Sequence, residues 1–433
     1  MARLIARPLR EFLETEVAGG FLLLAATVVA LIWANSPLRG IYNRLWGTEL
    51  ALRLGPLALA DDLRHWVNDG LMAIFFFVVA LEVKREIVRG ELNEPRRAAL
   101  PALAALGGMI MPGALYLSLN VGGPGAHGWG VPMATDIAFA LGVLALLGPR
   151  APASLKVFLL SVAVADDIGA IAVIAIFYSG GIAPLFLGAA LALLGLILFL
   201  RSARVWWTPV YVVLGVGVWV AVLESGVHAT IAGVALGLAT PVRALDPSER
   251  RRIPLFERST DTDDEAELNA TDVRETTLRL RASASVAERL EDALHPWTSY
   301  VIVPLFALAN AGVALGTEAL GESARSPVTA GIVLGLVLGK IIGISGFTWL
   351  AVRLGLGSLP RGVSWLQVVG VAAVAGVGFT VALFIAALAF DTPELQDQAK
   401  IGILLGSLVA AMLGAAVLAW PGRIRGGRST PDS

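Results

Sequence analysis

The chain turns apolar again and again for about the thickness of a lipid bilayer, and that leaves it few ways to fold. A helix needs about 20 apolar residues to cross the hydrocarbon core. Twelve stretches read as such spans: 17–34, 64–83, 98–119, 129–148, 154–178, 182–200, 206–222, 227–240, 295–315, 328–352, 364–390 and 400–420, of which 227–240 is the shortest. The expected fold is an all-α polytopic membrane protein with about 12 transmembrane helices. Composition agrees, with 56% hydrophobic and 15% charged residues, where a soluble domain carries about 25% charged. The net charge of −1 makes no bulk electrostatic case for a nucleic-acid partner. The absence of cysteine excludes disulfides and thiolate metal sites. The 47 glycines suit helices that must pack closely in lipid.

Basic residues orient these spans. With a cytoplasmic N-terminus, the inner segments hold 17 lysines and arginines against 6 outside, even without the long 241–293 segment. That is the positive-inside bias, with both termini inside. The N-terminus mixes basic and acidic residues before its first apolar run and lacks a small-x-small cleavage site, so 17–34 reads as a membrane helix rather than a signal peptide. The resulting plan is spans one to eight over 1–240, a cytoplasmic acidic loop over 241–293, spans nine to twelve over 294–422 and a cytoplasmic tail over 423–433. Within the first part, TELALRLGPLALADD (48–62) alternates apolar and polar residues about Gly55-Pro56 and predicts an extramembrane β-hairpin. Two strands alone are marginal, so pairing with a second subunit is expected. In the loop, TDTDDEAELNATD (260–272) has a disordered composition. The stretch after it patterns as an amphipathic helix entering the ninth span.

Against this apolar background a few charges stand out. Asp136, Asp166, Asp167 and Lys340 fall near mid-span, whereas Asp69 lies nearer an end. Each costs at least about 2.5–3.5 kcal/mol at the bilayer centre, so each marks a functional position. Asp166 and Asp167 lie about 100° apart around their helix. One can face a water-filled funnel while the other reaches an adjacent helix. Carboxylate oxygens suit hard cations, and two neighbouring acids away from water hold either a cation or protons. That competition is the minimum machinery of an exchanger. Asp136 sits in GVPMATDIAFALGVL, where Pro132 and Thr135 predict an interrupted helix lining a cavity. A carboxylate there would offset the partial positive charge of a half-helix N-terminus. Lys340 in GIVLGLVLGKIIGISGF needs a partner, either a carboxylate such as Asp166 or Asp167 or the carbonyls of a half-helix C-terminus. Gly376 and Gly378 predict a second interruption in 369–390. The two interrupted spans occupy matching places in triplets that start from opposite sides. That is an inverted repeat, as in many secondary transporters.

The stretches LMAIFFFVVALEVKRE, MATDIAFALGVLALLG, ADDIGAIAVIAIFY, SGVHATIAGV, LHPWTSYVIVPLFALANAGV, GLVLGKIIGIS and GVGFTVALFIAALAF resemble, in order and over nearly the whole chain, the NhaA family of Na⁺/H⁺ antiporters. The resemblance implies twelve helices, with broken helices four and eleven crossing. It implies that Asp166 and Asp167 bind Na⁺ or Li⁺ in competition with protons, Asp167 as the essential cation ligand and Asp166 as the partner of Lys340. Asp136 and Thr135 would balance partial charges and assist binding. Glu82, Lys84 and Glu86 would belong to a pH-sensing funnel, and His228 would affect pH response. The 48–62 hairpin would be the homodimer contact. The implied activity is electrogenic export of Na⁺ in exchange for more protons, at a bacterial cytoplasmic (inner) membrane, in pH homeostasis and salt tolerance. No cofactor and no enzymatic chemistry are implied. The chain departs from the family in its acidic insert near 259–275, which lengthens the link between spans eight and nine.

Two other classes compete. A cation channel selects with carbonyl or carboxylate rings about a symmetric pore. A single lysine-opposed acid pair in an inverted repeat favours an exchanger instead. An intramembrane aspartyl hydrolase needs its two aspartates facing each other from different helices, which adjacent positions fit poorly.

Overall fold

The computed structural model describes residues 2–54, 57–90, 93–203, 208–242 and 285–420. The Gly55-Pro56 turn, the acidic stretch 260–272 and the tail beyond 420 lie outside the described residues. Helices follow the apolar runs. In chain order they are α1 (Ala2–Ala34), α2 (Met72–Arg89), α3 (Pro95–Asn120), α4 (Ile137–Leu146), α5 (Ala153–Phe177), α6 (Pro184–Ser202), α7 (Thr208–Glu224) and α8 (Thr230–Ala239). Past the undescribed loop come α9 (Val286–Trp297), α10 (Val303–Asn310), α11 (Pro327–Leu334), α12 (Lys340–Arg353), α13 (Trp365–Val374), α14 (Phe379–Ala389) and α15 (Pro393–Ala419).

Among the described residues, six helical segments are long and apolar enough to cross a membrane, and eight do so if each of two bent pairs counts as one span. The bent pairs are the 3₁₀ segment Ala126–Met133 with α4, at 41°, and α13 with α14, at 48°. These are the two stretches in which the sequence predicts an interruption. The molecule is a multi-pass, mostly helical membrane protein. Only 11% of the apolar window of α6 is buried within the protein, against 61% of the window spanning α11 and α12. The first therefore turns its apolar side chains to lipid, and the second forms the interior.

Close helix approach holds that interior together. A Cβ on Gly343 of α12 would lie 2.1 Å from the Gly107 carbonyl oxygen of α3, so only glycine lets these two backbones touch. In lipid such contact supplies dispersion energy where the hydrophobic effect gives none. Three spans also contain π turns, at Trp66–Leu71, Thr298–Ile302 and Gly335–Gly339. The apolar pattern does not predict them, because a π turn inserts one residue without changing which residue types are apolar.

Outside the spans, β1 (Glu49–Leu54) pairs antiparallel with β2 (Leu57–Asp62), from Glu49 opposite Asp62 to Leu54 opposite Leu57. Asp62 then caps the short helix after it, accepting the His65 N–H at 2.8 Å and meeting the His65 ring at 2.9 Å. Those bonds hold the Asp62 carboxyl below its ordinary range against the upward push of burial, and they raise the His65 imidazole. Chain direction defines two faces. The hairpin face carries the ends of α3 and α5, and the α9 face carries the end of α2. On the α9 face Ser285 and Glu288 form a reciprocal capping box that starts α9.

Candidate ion-binding site

The two bent helix pairs meet at their breaks. The break between the 3₁₀ segment and α4 covers residues 134–136, and the break between α13 and α14 covers 375–378. The Asp136 N–H donates to the Val377 carbonyl at 2.6 Å, so each break satisfies backbone that the other leaves open. The Asp136 side chain does more. One oxygen accepts the Phe139 N–H at 3.1 Å as N-cap of α4. The other accepts the Thr380 N–H at 3.1 Å and the Thr380 hydroxyl at 2.6 Å. A single buried carboxylate thus faces the positive ends of two half-helices, α4 and α14, where a negative charge is stabilised.

Thr135, one residue earlier, joins a second cluster. Lys340, fully buried, donates from Nζ to Asp166 Oδ2 at 2.7 Å and to the Thr135 hydroxyl oxygen at 2.9 Å. The Thr135 hydroxyl has one proton, and two acceptors lie within its reach: Asp166 Oδ2 at 2.8 Å and the Ala375 carbonyl at 2.9 Å. Of the partners open to Lys340 from sequence, the fold selects Asp166. Asp166 Oδ1 is buried and has no hydrogen-bond partner among the described residues. Three spans converge here, because α5 brings Asp166, α12 brings Lys340 and the first break brings Thr135.

Asp167 points elsewhere. It is half-buried and lines a cavity of about 70 Å³ that also touches Thr135, Asp136, Thr380, Glu82 and His295. Among the described residues its carboxylate accepts no hydrogen bond, although Asp166 beside it accepts from both Lys340 and Thr135. The cavity extends toward the α9 face, where Glu82 Oε1 lies 3.9 Å from His295 Nε2. The structure therefore brings together Asp166, Asp167, Thr135, Asp136, Lys340 and Glu82. It sends the rest of the predicted set elsewhere. Lys84 donates to the carbonyls of Leu238 and Thr240 at the end of α8. Glu86 does not line the cavity. His228 bonds the Tyr178 carbonyl on the opposite, hairpin face.

Sequence reading missed Thr380, His295 and the α9 acids. Thr380 directly follows the predicted interruption in GVGFT, which was its only signal. Glu291 and Glu288 pair with Arg85 and Arg89 of α2. Burial pushes the Glu291 carboxyl up to about 7 despite Arg85. Glu288 is held below its ordinary value, because its bonds to Ser285 and the Arg89 charge outweigh burial.

Residues 10–418 match the family described as Na⁺/H⁺ antiporter 1. The chain belongs to that family. The antiporter is similar to the Na(+)/H(+) antiporter NhaA 3 of Frankia alni, 48% identical over 96% of this chain and 89% of the relative. It is similar to the Na(+)/H(+) antiporter NhaA 2 of Sorangium cellulosum, 49% identical over 96% and 90%. It is likewise similar to the Na(+)/H(+) antiporter NhaA of a Shewanella species, 46% identical over 94% and 96%. It is a sodium/proton antiporter, not a channel. Its central carboxylates are therefore candidates for handling the exchanged ions.

Proposed function

We propose that Asp166 and Asp167 are the exchange site, taking up Na⁺ or Li⁺ on one pass and protons on the next. One observation carries this reading: a half-buried carboxylate, Asp167, without a hydrogen-bond donor among the described residues, faces a cavity beside a buried acid–lysine pair. A carboxylate placed so favours a cation or a proton over being empty. Na⁺ held by Asp167 can draw further oxygen ligands from Thr135 and water. A proton arriving on Asp166 discharges its pairing with Lys340 and frees the lysine to move, which ties proton uptake to a change of face. Asp136 keeps the crossing intact throughout by neutralising α4 and α14. Two acids and one lysine can carry more protons inward than Na⁺ outward, which supports electrogenic export of Na⁺.

The finer plan belongs to the same proposal. The chain crosses twelve times as an inverted repeat with both termini cytoplasmic, in a bacterial inner membrane, and serves pH homeostasis and salt tolerance. Glu82, with His295 and the α9 acids, faces the cytoplasmic entrance. Glu82, Lys84, Glu86 and His228 set the pH response. The hairpin joins two copies. Leu50 and Leu52 are exposed on it, and a two-stranded sheet needs a further partner to be stable. Deleting 48–62 is expected to leave monomers by native mass measurement in detergent, and retained dimers would remove the hairpin from that role.

The test of the site is Na⁺-dependent proton flux in proteoliposomes. Asp167→Asn keeps the side-chain shape and removes the charge. Flux is expected to fall at least about 100-fold, with membrane insertion and thermal unfolding unchanged. Near-normal flux would move the site away from Asp167.

A further inference from the structure

The established exchange and the site proposed above leave open what closes the site on the hairpin face. The 3₁₀ segment Ala126–Met133 lies on that side of Thr135 and Asp136, and Gly128, Gly130, Val131, Pro132 and Met133 in it are buried. A 3₁₀ segment has poorer internal hydrogen bonds than an α-helix, so side-chain fastenings decide where it sits. At its inner end it is tied to α5 through Thr135 and Asp166. Toward its outer end it is tied to α5 again. Tyr178, the residue that ends α5, accepts the Gly130 N–H on its hydroxyl at 3.0 Å and donates that hydroxyl to the His127 carbonyl at 2.8 Å. The His127 ring packs edge-on against the Tyr178 ring at 5.0 Å. A Cβ at Gly130 would fall 2.7 Å from the Tyr178 hydroxyl oxygen, so the approach depends on glycine there. The Tyr178 carbonyl in turn receives His228 Nε2 from the loop before α8.

We propose that Tyr178 is a positioning residue for the exchange: its hydroxyl latches the 3₁₀ half of the broken span to α5 and keeps the site shut on the hairpin face while the cavity is open toward the α9 face. The proposal rests on Asp166 and Asp167 being the exchange site. The latch belongs to the same helix as both aspartates, eleven residues beyond Asp167, or about 16 Å along the axis. Opening the hairpin face requires the 3₁₀ half to leave α5. That movement breaks the Gly130 and His127 bonds together and leaves the buried Gly130 N–H without this acceptor until another partner or water reaches it. A motion of α5 when its carboxylates change cargo is transmitted through Tyr178 to the segment covering them.

The natural absence of cysteine makes the test direct. Val131→Cys places a single reporter in the buried 3₁₀ half, and a membrane-impermeant thiol reagent is applied from each face of vesicles of known orientation. Adding Tyr178→Phe keeps the ring and removes the hydroxyl. Labelling from the hairpin face is expected to quicken about tenfold, the loss of roughly two modest hydrogen bonds. The apparent KM for Na⁺ is expected to fall on the hairpin face and rise on the other, since each depends on the fraction of protein open there. A residue serving only to hold the fold would lower activity on both faces without that opposite movement. Unchanged labelling, or KM moving the same way on both faces, overturns the latch. Should Tyr178→Phe fail to insert, Gly130→Ala tests the same contact from the other side by displacing the hydroxyl. If both insert, the double variant is expected to match Tyr178→Phe alone, and additive effects would count against a shared contact. Asp167→Asn in the reporter chain separates the two readings. Persistent exchange there overturns the site assignment, whereas the Tyr178 labelling ratio judges the latch.

Discussion

Lys340 offers the sharpest energetic test. Its ammonium group is 0% exposed and meets Asp166, itself 2% exposed, at 2.7 Å. Replacing the lysine by methionine keeps the volume and apolar stem but leaves the Asp166 charge alone in the interior. Losing one side of a buried pair costs about 3–5 kcal/mol, because the remaining charge loses its compensation. Replacing both members is a different perturbation. In Lys340→Met/Asp166→Asn no charge remains, the asparagine amide can still bond the Thr135 hydroxyl, and the cost is expected to fall to about 1 kcal/mol. By the same argument Asp166→Asn alone strands the lysine charge at a similar cost, so the double variant is expected to be more stable than either single variant by roughly 2–4 kcal/mol, as for directly contacting groups. The assay is denaturant unfolding of the purified chain in detergent, followed by tryptophan fluorescence, for the wild type, both single variants and the double variant. A double variant as unstable as Lys340→Met alone would refute the reasoning. So would a Lys340→Met protein as stable as wild type.

Two further outcomes follow from packing and from charge. Gly343→Ala drives a methyl to 2.1 Å from the Gly107 carbonyl oxygen, and since that neighbour is backbone the helices must part. A loss of roughly 2 kcal/mol or more is expected, and unaltered unfolding would show that α3 and α12 separate easily. On the α9 face, burial raises the Glu291 carboxyl to about 7 from its ordinary 4.5. The docked state therefore holds this proton more tightly than the undocked chain, so docking is fully favoured below about 4.5 and weakens as pH rises to about 7. Hydrogen exchange of α9 is expected to speed up between pH 5 and 7 in the wild type and to lose that slope in Glu291→Gln, and an unchanged slope would assign the titration to another group.

Much of the candidate site was readable because lipid makes polarity conspicuous. Four charged residues near mid-span cannot be there by indifference, and four of them meet within the core. Pro132 and the Gly376–Gly378 pair marked the broken spans because each disfavours a continuous helix in a medium that supplies no substitute hydrogen bonds. The roles within the site were less readable. Asp136 was expected to answer one half-helix, and the fold sets it on two, because Thr380 lies 244 residues further along and only the tertiary fold brings it near. Thr135 looked like a helix interruption and is the hydroxyl between Asp166, Lys340 and Ala375. His228 and Glu82 fell into one expected group and sit on opposite faces.

By itself, the sequence determined that the chain lives in lipid as helices, that two of its apolar stretches are interrupted, and that one acid pair and one lysine near mid-span are the candidates for its chemistry. Those conclusions depend on residue type against the cost of burial, which each position states locally. Tertiary structure decided which acid the lysine neutralises, which acid faces the cavity, and how Tyr178 ties the helix of both aspartates to the bent one. Those depend on distances of about 3 Å between segments far apart in the chain, and no local pattern encodes them.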